Sequence, residues 1–265
     1  MNKVALLIPH YNNPEGLVKS LESIYYTEKA DVFIIDDGSV INKINEIEAK
    51  SFFKAQGEIH FHYLNKNQGI ENALNKGIKL ILLNKQYKYI ARLDCGDLCV
   101  GKRFELQEKY MESNPGVKLL GSNAIAVDAN YNFLYNTFFP EKHKIIQNKM
   151  YLNAMFLHPT IMLSIDIIPK IGLYPTNYEA AEDYAYFFKI VKNFETANIQ
   201  EFLMKYEITH DGISISKRKI QVKSRLRIIM KHFYFGFWPI YGLIRNFLLY
   251  IIPYAIILKI KKIKK

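Results

Sequence analysis

The sequence predicts an α/β fold with a mostly parallel, doubly wound (Rossmann-like) central sheet flanked by helices. Short apolar runs typical of buried strands alternate with segments whose apolar residues recur at helical spacing. Such alternation is typical of parallel sheets with helices on both faces. The apolar share of 49% is ordinary for a globular protein, so a chain of 265 residues can bury a core without disulfide bonds.

The predicted elements follow one another regularly at the start of the chain. Strands are predicted at residues 4–8, 32–35, 60–64 and 89–93, and helices at residues 15–26, 41–53 and 69–83. A later helix over residues 178–194 carries Glu182 and Asp183 near its start. Residues 123–213 otherwise mix short strands with aromatic-rich helices, and the composition changes near Ser214.

Polar or acidic loops follow three of these strands, at residues 9–12, 36–39 and 94–97. Ligands of parallel sheets bind beyond the carboxyl ends of the strands, so these loops predict a binding site. Neither G-x-G-x-x-G nor G-x-x-x-x-G-K-[ST] occurs in the chain, which argues against Rossmann dehydrogenases and P-loop nucleotide hydrolases.

Two acidic loops are the candidates for chemistry. Asp94 and Asp97 offer oxygen ligands that a divalent cation could share with substrate phosphates, or else they cap a helix or form a turn. Asp36 and Asp37 either form a turn or accept hydrogen bonds from a nucleotide. Arg92 pairs either with the acidic loop or with a bound diphosphate, and the residues alone do not choose between the two.

Seven short elements resemble, in the same order, those of family-2 glycosyltransferases of the GT-A fold, from the first strand to about Gln221. They are Pro9-His10-Tyr11-Asn12, Asp36-Asp37-Gly38-Ser39, Asn67-Gln68-Gly69 with Ala73, Asn75 and Gly77, Arg92-Leu93-Asp94-Cys95-Gly96-Asp97, His158-Pro159-Thr160, Glu182-Asp183-Tyr184, and His210 with Ser214, Ser216 and Gln221. One departure is Gly96, which stands where the family's metal-binding D-x-D has its second aspartate.

The resemblance implies roles for individual residues. The nucleotide-sugar donor would be bound by Pro9, Tyr11, Asp36, Asp37, Asn67, Arg92 and Asp94. Asp94 and Asp97 would hold Mn2+ or Mg2+, with Asp97 as the nearer ligand or Asp94 acting with the diphosphate and water. Asp183 would be the catalytic base. His158, Glu182 and His210 would shape the acceptor side or a closing loop.

The implied activity is an inverting sugar transfer from a nucleotide-sugar, a UDP-sugar for preference, to a glycan or lipid-linked acceptor. The expected setting is the biosynthesis of a surface polysaccharide such as lipopolysaccharide, capsule or O-antigen, with a hexosyl or N-acetylhexosaminyl group transferred. The alternative is a non-catalytic or differently specialised nucleotide-sugar-binding protein of the same fold, which Gly96 keeps open.

The charge distribution separates residues 1–213, the expected catalytic domain, from residues 214–265. The net charge is +11, and Lys and Arg concentrate after residue 216 on both sides of an apolar stretch at residues 233–258. That stretch is interrupted by Arg245, Pro239 and Pro253, which argues against one clean membrane crossing. It predicts a pair of helices on the membrane surface or a shallow re-entrant hairpin. The alternative is a hairpin packed on the catalytic domain or on a second copy of the chain. Nucleic acid is not an expected partner.

The start of the chain and its cysteines predict a cytoplasmic location, peripheral on the inner face of the cell membrane. The first apolar run is too short for a secretory signal, which needs about 7–15 apolar residues. Cys95 and Cys99 lack the second ligand pair of a zinc site, so we expect two reduced thiols.

Overall fold

Nine strands form one mixed sheet in the computed structural model, which describes residues 2–208 and 217–252. They are β1 Val4–His10, β2 Ala30–Asp36, β3 Ile59–Tyr63, β4 Tyr89–Arg92, β5 Leu98–Cys99, β6 Val117–Val127, β7 Phe133–Thr137, β8 Met162–Ser164 and β9 Glu195–Glu207. The strand order is β3-β2-β1-β4-β8-β6-β9-β5, and β7 pairs with β6.

The first half of the sheet is parallel, as the sequence predicts. β3, β2, β1 and β4 all run in the same direction, with His10 opposite Asp36 at the ends of β1 and β2. The second half is mixed, because β8 runs antiparallel to both β4 and β6, whereas β6 and β9 are parallel to each other.

Nine helices surround this sheet in the described residues. They are α1 Pro14–Glu22, α2 Glu46–Phe52, α3 Ile70–Leu82, α4 Arg103–Ser113, α5 His143–Lys149, α6 Ile168–Ile171, α7 Glu182–Asn193, α8 Arg218–Lys231 and α9 Phe237–Ile251. α2 is shorter than predicted because the Asn45 side chain accepts from the Glu48 N–H and caps the helix there. α7 starts only at Glu182, because Ala180 has a φ of +57°, outside the helical range.

The core lies on both faces of the sheet. On β1, Leu7 packs into a cluster with α3 and α7, whereas its neighbours Leu6 and Ile8 pack into a second cluster with α1 and α4. Successive strand side chains point to opposite faces, so a strand that is apolar throughout feeds both clusters. This arrangement confirms that helices cover both faces of the parallel half.

The two C-terminal helices pack against the rest of the chain. The Ser224 hydroxyl of α8 donates to the carbonyl of Glu179 (2.9 Å), and the Arg245 guanidinium of α9 donates to the carbonyl of Leu152 (2.6 Å). A β carbon on Gly242 would lie 2.3 Å from the carbonyl oxygen of Tyr151, so only glycine permits this close approach. Across residues 2–208 and 217–252, none of the helices is long and apolar enough to cross a bilayer. The lysines after residue 258 lie outside the described residues.

Candidate functional site

A cavity of about 780 Å³ opens at the carboxyl ends of β1, β2 and β4. Six residues to which the sequence analysis assigned a role lie on its wall: Pro9, Tyr11, Asp37, Asn67, Asp94 and Glu182. Five others are not part of the wall: Asp36, Arg92, Asp97, His158 and Asp183. His210 lies outside the described residues. The structure therefore gathers residues from five separate parts of the sequence around one space.

Asp36 is committed to hydrogen bonds within the protein. Its Oδ2 lies 2.7 Å from Nδ1 of His10, and its Oδ1 accepts from the Ser39 N–H (2.7 Å). His10 Nε2 accepts from the Asn13 N–H (3.2 Å), which assigns the proton of the neutral ring to Nδ1. Burial lowers the pKa of His10 despite the neighbouring carboxylate. Asp36 thus shapes the loops, and His10 is a wall residue that the sequence analysis named in a motif without assigning it a role.

Asp37 connects the end of β2 to the start of α3. Its two carboxylate oxygens accept from the N–H groups of Gln68 (2.8 Å) and Gly69 (2.9 Å). Gly38, with a φ of +72°, allows the loop to lie against Lys66, because a β carbon there would be 2.3 Å from the Lys66 carbonyl carbon. These contacts place Asn67 on the cavity wall.

Asp94 and Asp97 have different environments. The Asp94 side chain is 35% exposed on the wall, and its Oδ1 accepts from the Arg92 guanidinium (2.7 Å). Asp97 is only 7% exposed, and its Oδ1 accepts from the Glu207 N–H (3.0 Å). Burial, reinforced by the charge of Asp94, raises the pKa of Asp97 well above its ordinary value.

The donor set of this loop fits a hard divalent cation that a nucleotide helps to bind. Within the described ranges, no three His, Cys, Asp or Glu side chains are placed to hold a metal ion by themselves. Magnesium, however, commonly takes one or two protein carboxylates together with substrate phosphates and water. Asp94 supplies one such carboxylate at the cavity wall, so the cation would depend on a bound diphosphate.

A buried chain of polar groups supports Arg92. His158 Nδ1 lies 3.5 Å from the Arg92 guanidinium, and its Nε2 lies 2.8 Å from the Tyr174 hydroxyl. Burial, and then the charge of Arg92, lowers the pKa of His158 well below its ordinary value, so the ring is neutral. The structure places His158 behind Arg92 and away from the cavity wall. Tyr174 is a further residue that the sequence analysis did not single out.

Two carboxyl groups open α7 on the other side of the cavity. Glu182 lies on the wall, and burial, together with the charge of Asp183, raises the pKa of Glu182 to about 7. Asp183 stands beside it with its Oδ1 accepting from the Tyr184 N–H (2.6 Å), and burial raises its pKa as well. A carboxyl group whose pKa is raised towards the working pH can both accept and release a proton there.

The C-terminal region also contributes to the site. Lys217, which the sequence analysis counted only as part of a basic cluster, lies on the cavity wall beside Glu179, with their charged atoms 2.8 Å apart. Its sequence neighbours gave no signal for this role, because only the packing of α8 brings residue 217 to the cavity.

Comparisons with known proteins found a matching family and several similar proteins. The model of a family described as glycosyl transferase family 2 matches residues 5–171. An uncharacterized glycosyltransferase of Methanocaldococcus jannaschii is 33% identical over 223 residues, which is 82% of this chain and 75% of the relative. The amylovoran biosynthesis glycosyltransferase AmsE of Erwinia amylovora is 28% identical over 252 residues, covering 91% and 92%.

A solved structure with a similar fold is that of a mannosyltransferase from Pyrobaculum calidifontis in complex with GDP-Man and Mn2+. It matches with a TM-score of 0.64 at 13% sequence identity, covering 94% of this chain and 70% of that chain. At 13% identity this match shows a similar fold and nothing about the substrate of this chain.

The raised pKa of Glu182 predicts a pH-dependent stability. Because the protonated form is favoured in the folded state, its contribution to stability is lost as the pH rises through about 7. Relative to wild type, Glu182→Gln should therefore gain about 1–3 kcal/mol of unfolding free energy between pH 4.5 and pH 8. Urea denaturation at both pH values measures this difference. The exposed Glu22→Gln serves as control, and a pH-independent difference for Glu182→Gln would contradict the expectation.

Proposed function

The chain belongs to glycosyl transferase family 2, and we propose that this glycosyltransferase moves a sugar, with inversion, from a nucleotide-sugar to a glycan or lipid-linked acceptor. The observation that carries the proposal is that Asp37, Asp94 and Glu182 line the same cavity. The fold of the chain is GT-A, as the resemblance implied and the similar solved structure confirms.

The names of similar proteins support the substrate class. One relative acts in amylovoran biosynthesis, and a structure of the same fold was solved with GDP-Man and Mn2+. We extend these properties to this chain as a proposal: the donor is a nucleoside diphosphate sugar, with UDP as the first nucleotide to test. The product is a surface polysaccharide or its lipid-linked precursor, and the sugar is a hexosyl or N-acetylhexosaminyl group.

The nucleotide half of the donor would lie against β1 and β2. Tyr11 is 48% exposed on the cavity wall and offers an aromatic face to a base or ribose. Asn67 offers amide groups from the neighbouring loop. Asp37 already accepts two backbone N–H groups, so it would fix the loop and meet the ribose only through its remaining lone pairs.

The diphosphate would lie near Asp94, which would hold Mn2+ or Mg2+. When bound, such a cation neutralises charge that develops on the departing nucleoside diphosphate. Arg92 positions Asp94 from behind the wall through its 2.7 Å ion pair. Lys217 adds a cationic side chain to the same cavity.

Transfer requires that the acceptor hydroxyl lose its proton as its oxygen attacks the anomeric carbon. The proton passes to a carboxylate at the start of α7, the new glycosidic bond forms, and the bond from the anomeric carbon to the diphosphate oxygen breaks. Asp183 is the proposed base. Glu182, which lies on the wall itself, would orient the acceptor or share the proton.

The activity is tested by the release of nucleoside diphosphate from a panel of UDP-, GDP- and dTDP-sugars in the presence of Mn2+. We expect release from at least one donor and its loss in excess EDTA, with recovery on adding Mn2+ or Mg2+. Full turnover in EDTA would contradict the metal requirement. Tight donor binding without any release or transfer would favour the non-catalytic alternative.

Replacement of the proposed base should separate binding from transfer. Asp183→Asn should lower kcat by about 10²–10⁴-fold, because a general base typically contributes that much, while UDP affinity stays within a few-fold of wild type. Steady-state kinetics and UDP calorimetry measure the two quantities. Asp166→Asn, an exposed aspartate paired with Lys118, is the control. Near-normal transfer by Asp183→Asn together with loss in Glu182→Gln would reassign the base.

We also propose that α8 and α9 rest on the inner face of the cell membrane. The segment around α9 exposes large apolar side chains, among them Phe235 (94%), Phe237 (70%) and Phe247 (54%). A groove beside Phe247 is lined by Lys223 and Arg227. Exposed aromatic residues next to cations suit the interface of a membrane that contains anionic lipids. This arrangement would hold the cavity close to a lipid-linked acceptor.

The membrane proposal predicts binding to vesicles of phosphatidylglycerol and phosphatidylcholine. Phe235→Ser combined with Phe237→Ser should weaken binding by about tenfold or more, because each buried Phe side chain contributes roughly 1.5–3 kcal/mol. Co-sedimentation with the vesicles measures the loss. The control is Ile41→Ser with Ile47→Ser, two residues that are 82% and 84% exposed near α2. Equal binding by all variants, with loss of a dimer in size-exclusion chromatography, would instead identify this face as a contact between copies.

A further inference from the structure

The end of β9 brings a carboxylate to Gly96. Glu207 Oε2 lies 3.1 Å from the position that a β carbon on Gly96 would take. That position is where the side chain of residue 96 would begin if it had one. Gly96 also has a φ of +101°, which residues with side chains rarely adopt. The Glu207 carboxylate therefore lies in the space that a side chain at position 96 would fill.

Backbone contacts hold Glu207 in this place. Its N–H donates to Asp97 Oδ1 (3.0 Å), and the Asp97 N–H donates to the carbonyl of Asp94 (3.1 Å). The Asn13 amide, on the cavity wall, lies 4.0 Å from the same β-carbon position at Gly96. The β-carbon position of Gly96 thus lies near both the Glu207 carboxylate and Asn13, a residue of the cavity wall.

No cation compensates the Glu207 carboxylate within residues 2–208 and 217–252. In that part of the chain it forms no ion pair and accepts no hydrogen bond, although Glu207 is half-buried. The nearby buried cation, Arg92, donates to Asp94 instead. A carboxylate beside the Asp94–Asp97 loop that accepts no hydrogen bond there has its oxygens available to a divalent cation.

We propose that Glu207 is a second protein ligand of the divalent cation at Asp94 and supplies the carboxylate that position 96 lacks. The inference rests on the proposed function, because it assumes a metal-assisted nucleotide site at Asp94. Asp97 is the less suitable partner, since it is 7% exposed and its Oδ1 accepts from the Glu207 N–H. Carboxylate oxygens are the ligands that Mg2+ and Mn2+ prefer.

The experiment measures Mn2+ binding to the full-length protein, with UDP and with GDP, by calorimetry and by the electron paramagnetic resonance signal of free Mn2+. Glu207→Gln removes the charge and keeps the shape, whereas Glu207→Asp keeps the charge and shortens the reach. Glu201→Gln makes the same charge change at an exposed position of the same strand. Affinity for UDP without metal and the thermal midpoint show whether each variant retains its fold.

We expect Glu207→Gln and Glu207→Asp each to lose at least about tenfold in Mn2+ affinity. Replacing even a residue that only hydrogen-bonds to a metal ligand typically lowers metal affinity by about that factor. UDP affinity without metal and the binding of Mn2+ by Glu201→Gln should stay at the wild-type level. Wild-type Mn2+ affinity in Glu207→Gln, or an equal loss in Glu201→Gln, would overturn the role of Glu207 and leave the proposed function standing. A wild-type protein that binds no Mn2+ with either nucleotide would overturn both.

Discussion

The ion pair between Arg92 and Asp94 is the constraint on which the site depends. Arg92 is almost completely buried, so its charge requires a nearby carboxylate, and Asp94 meets that requirement at 2.7 Å while it faces the cavity. The backbone of Arg92 is fixed in turn, because its N–H donates to the Ile161 carbonyl and its own carbonyl accepts from the buried Arg103. One residue at the end of β4 thus couples the sheet interior to the orientation of a single carboxylate in the cavity.

The electrostatics of the cavity follow from the same arrangement. Asp37, Asp94, Glu71, Glu179 and Glu182 all contribute to its wall, whereas Lys217 is the only Lys or Arg side chain that the described residues place there. A nucleoside diphosphate would bring further negative charge into this space, which is unfavourable without added cations. The acidic wall is therefore consistent with a ligand that arrives with its own divalent cation, and it explains why burial and like charges raise the pKa of Glu182.

The C-terminal region belongs to the site more closely than its composition suggests. α8 packs beside α7, and the ion pair of Lys217 with Glu179 lies on the cavity wall. α9 in turn leaves aromatic side chains exposed while Gly242 lets its backbone approach Tyr151. The same two helices thus present one face to the transferase core and another to the surroundings. The amino-acid composition changes near residue 214, but a domain boundary there would separate Lys217 from the cavity that it lines.

The sequence by itself determined the parallel strands, the loops at their carboxyl ends and the family resemblance, because these depend on residues that are close together along the chain. Buried strands of a parallel sheet are apolar throughout, and their ends are marked by Pro9, Asp36 and Asp94. Helix boundaries were less predictable, since the cap at Asn45 and the backbone at Ala180 make α2 and α7 begin later than the apolar spacing predicts.

Only the tertiary structure decided which carboxylates face the cavity, because Asp94 and Asp97 look alike in sequence and differ only in what surrounds them. It alone placed Glu207 beside Gly96, since the two residues are 111 positions apart in the sequence and only strand pairing brings them together.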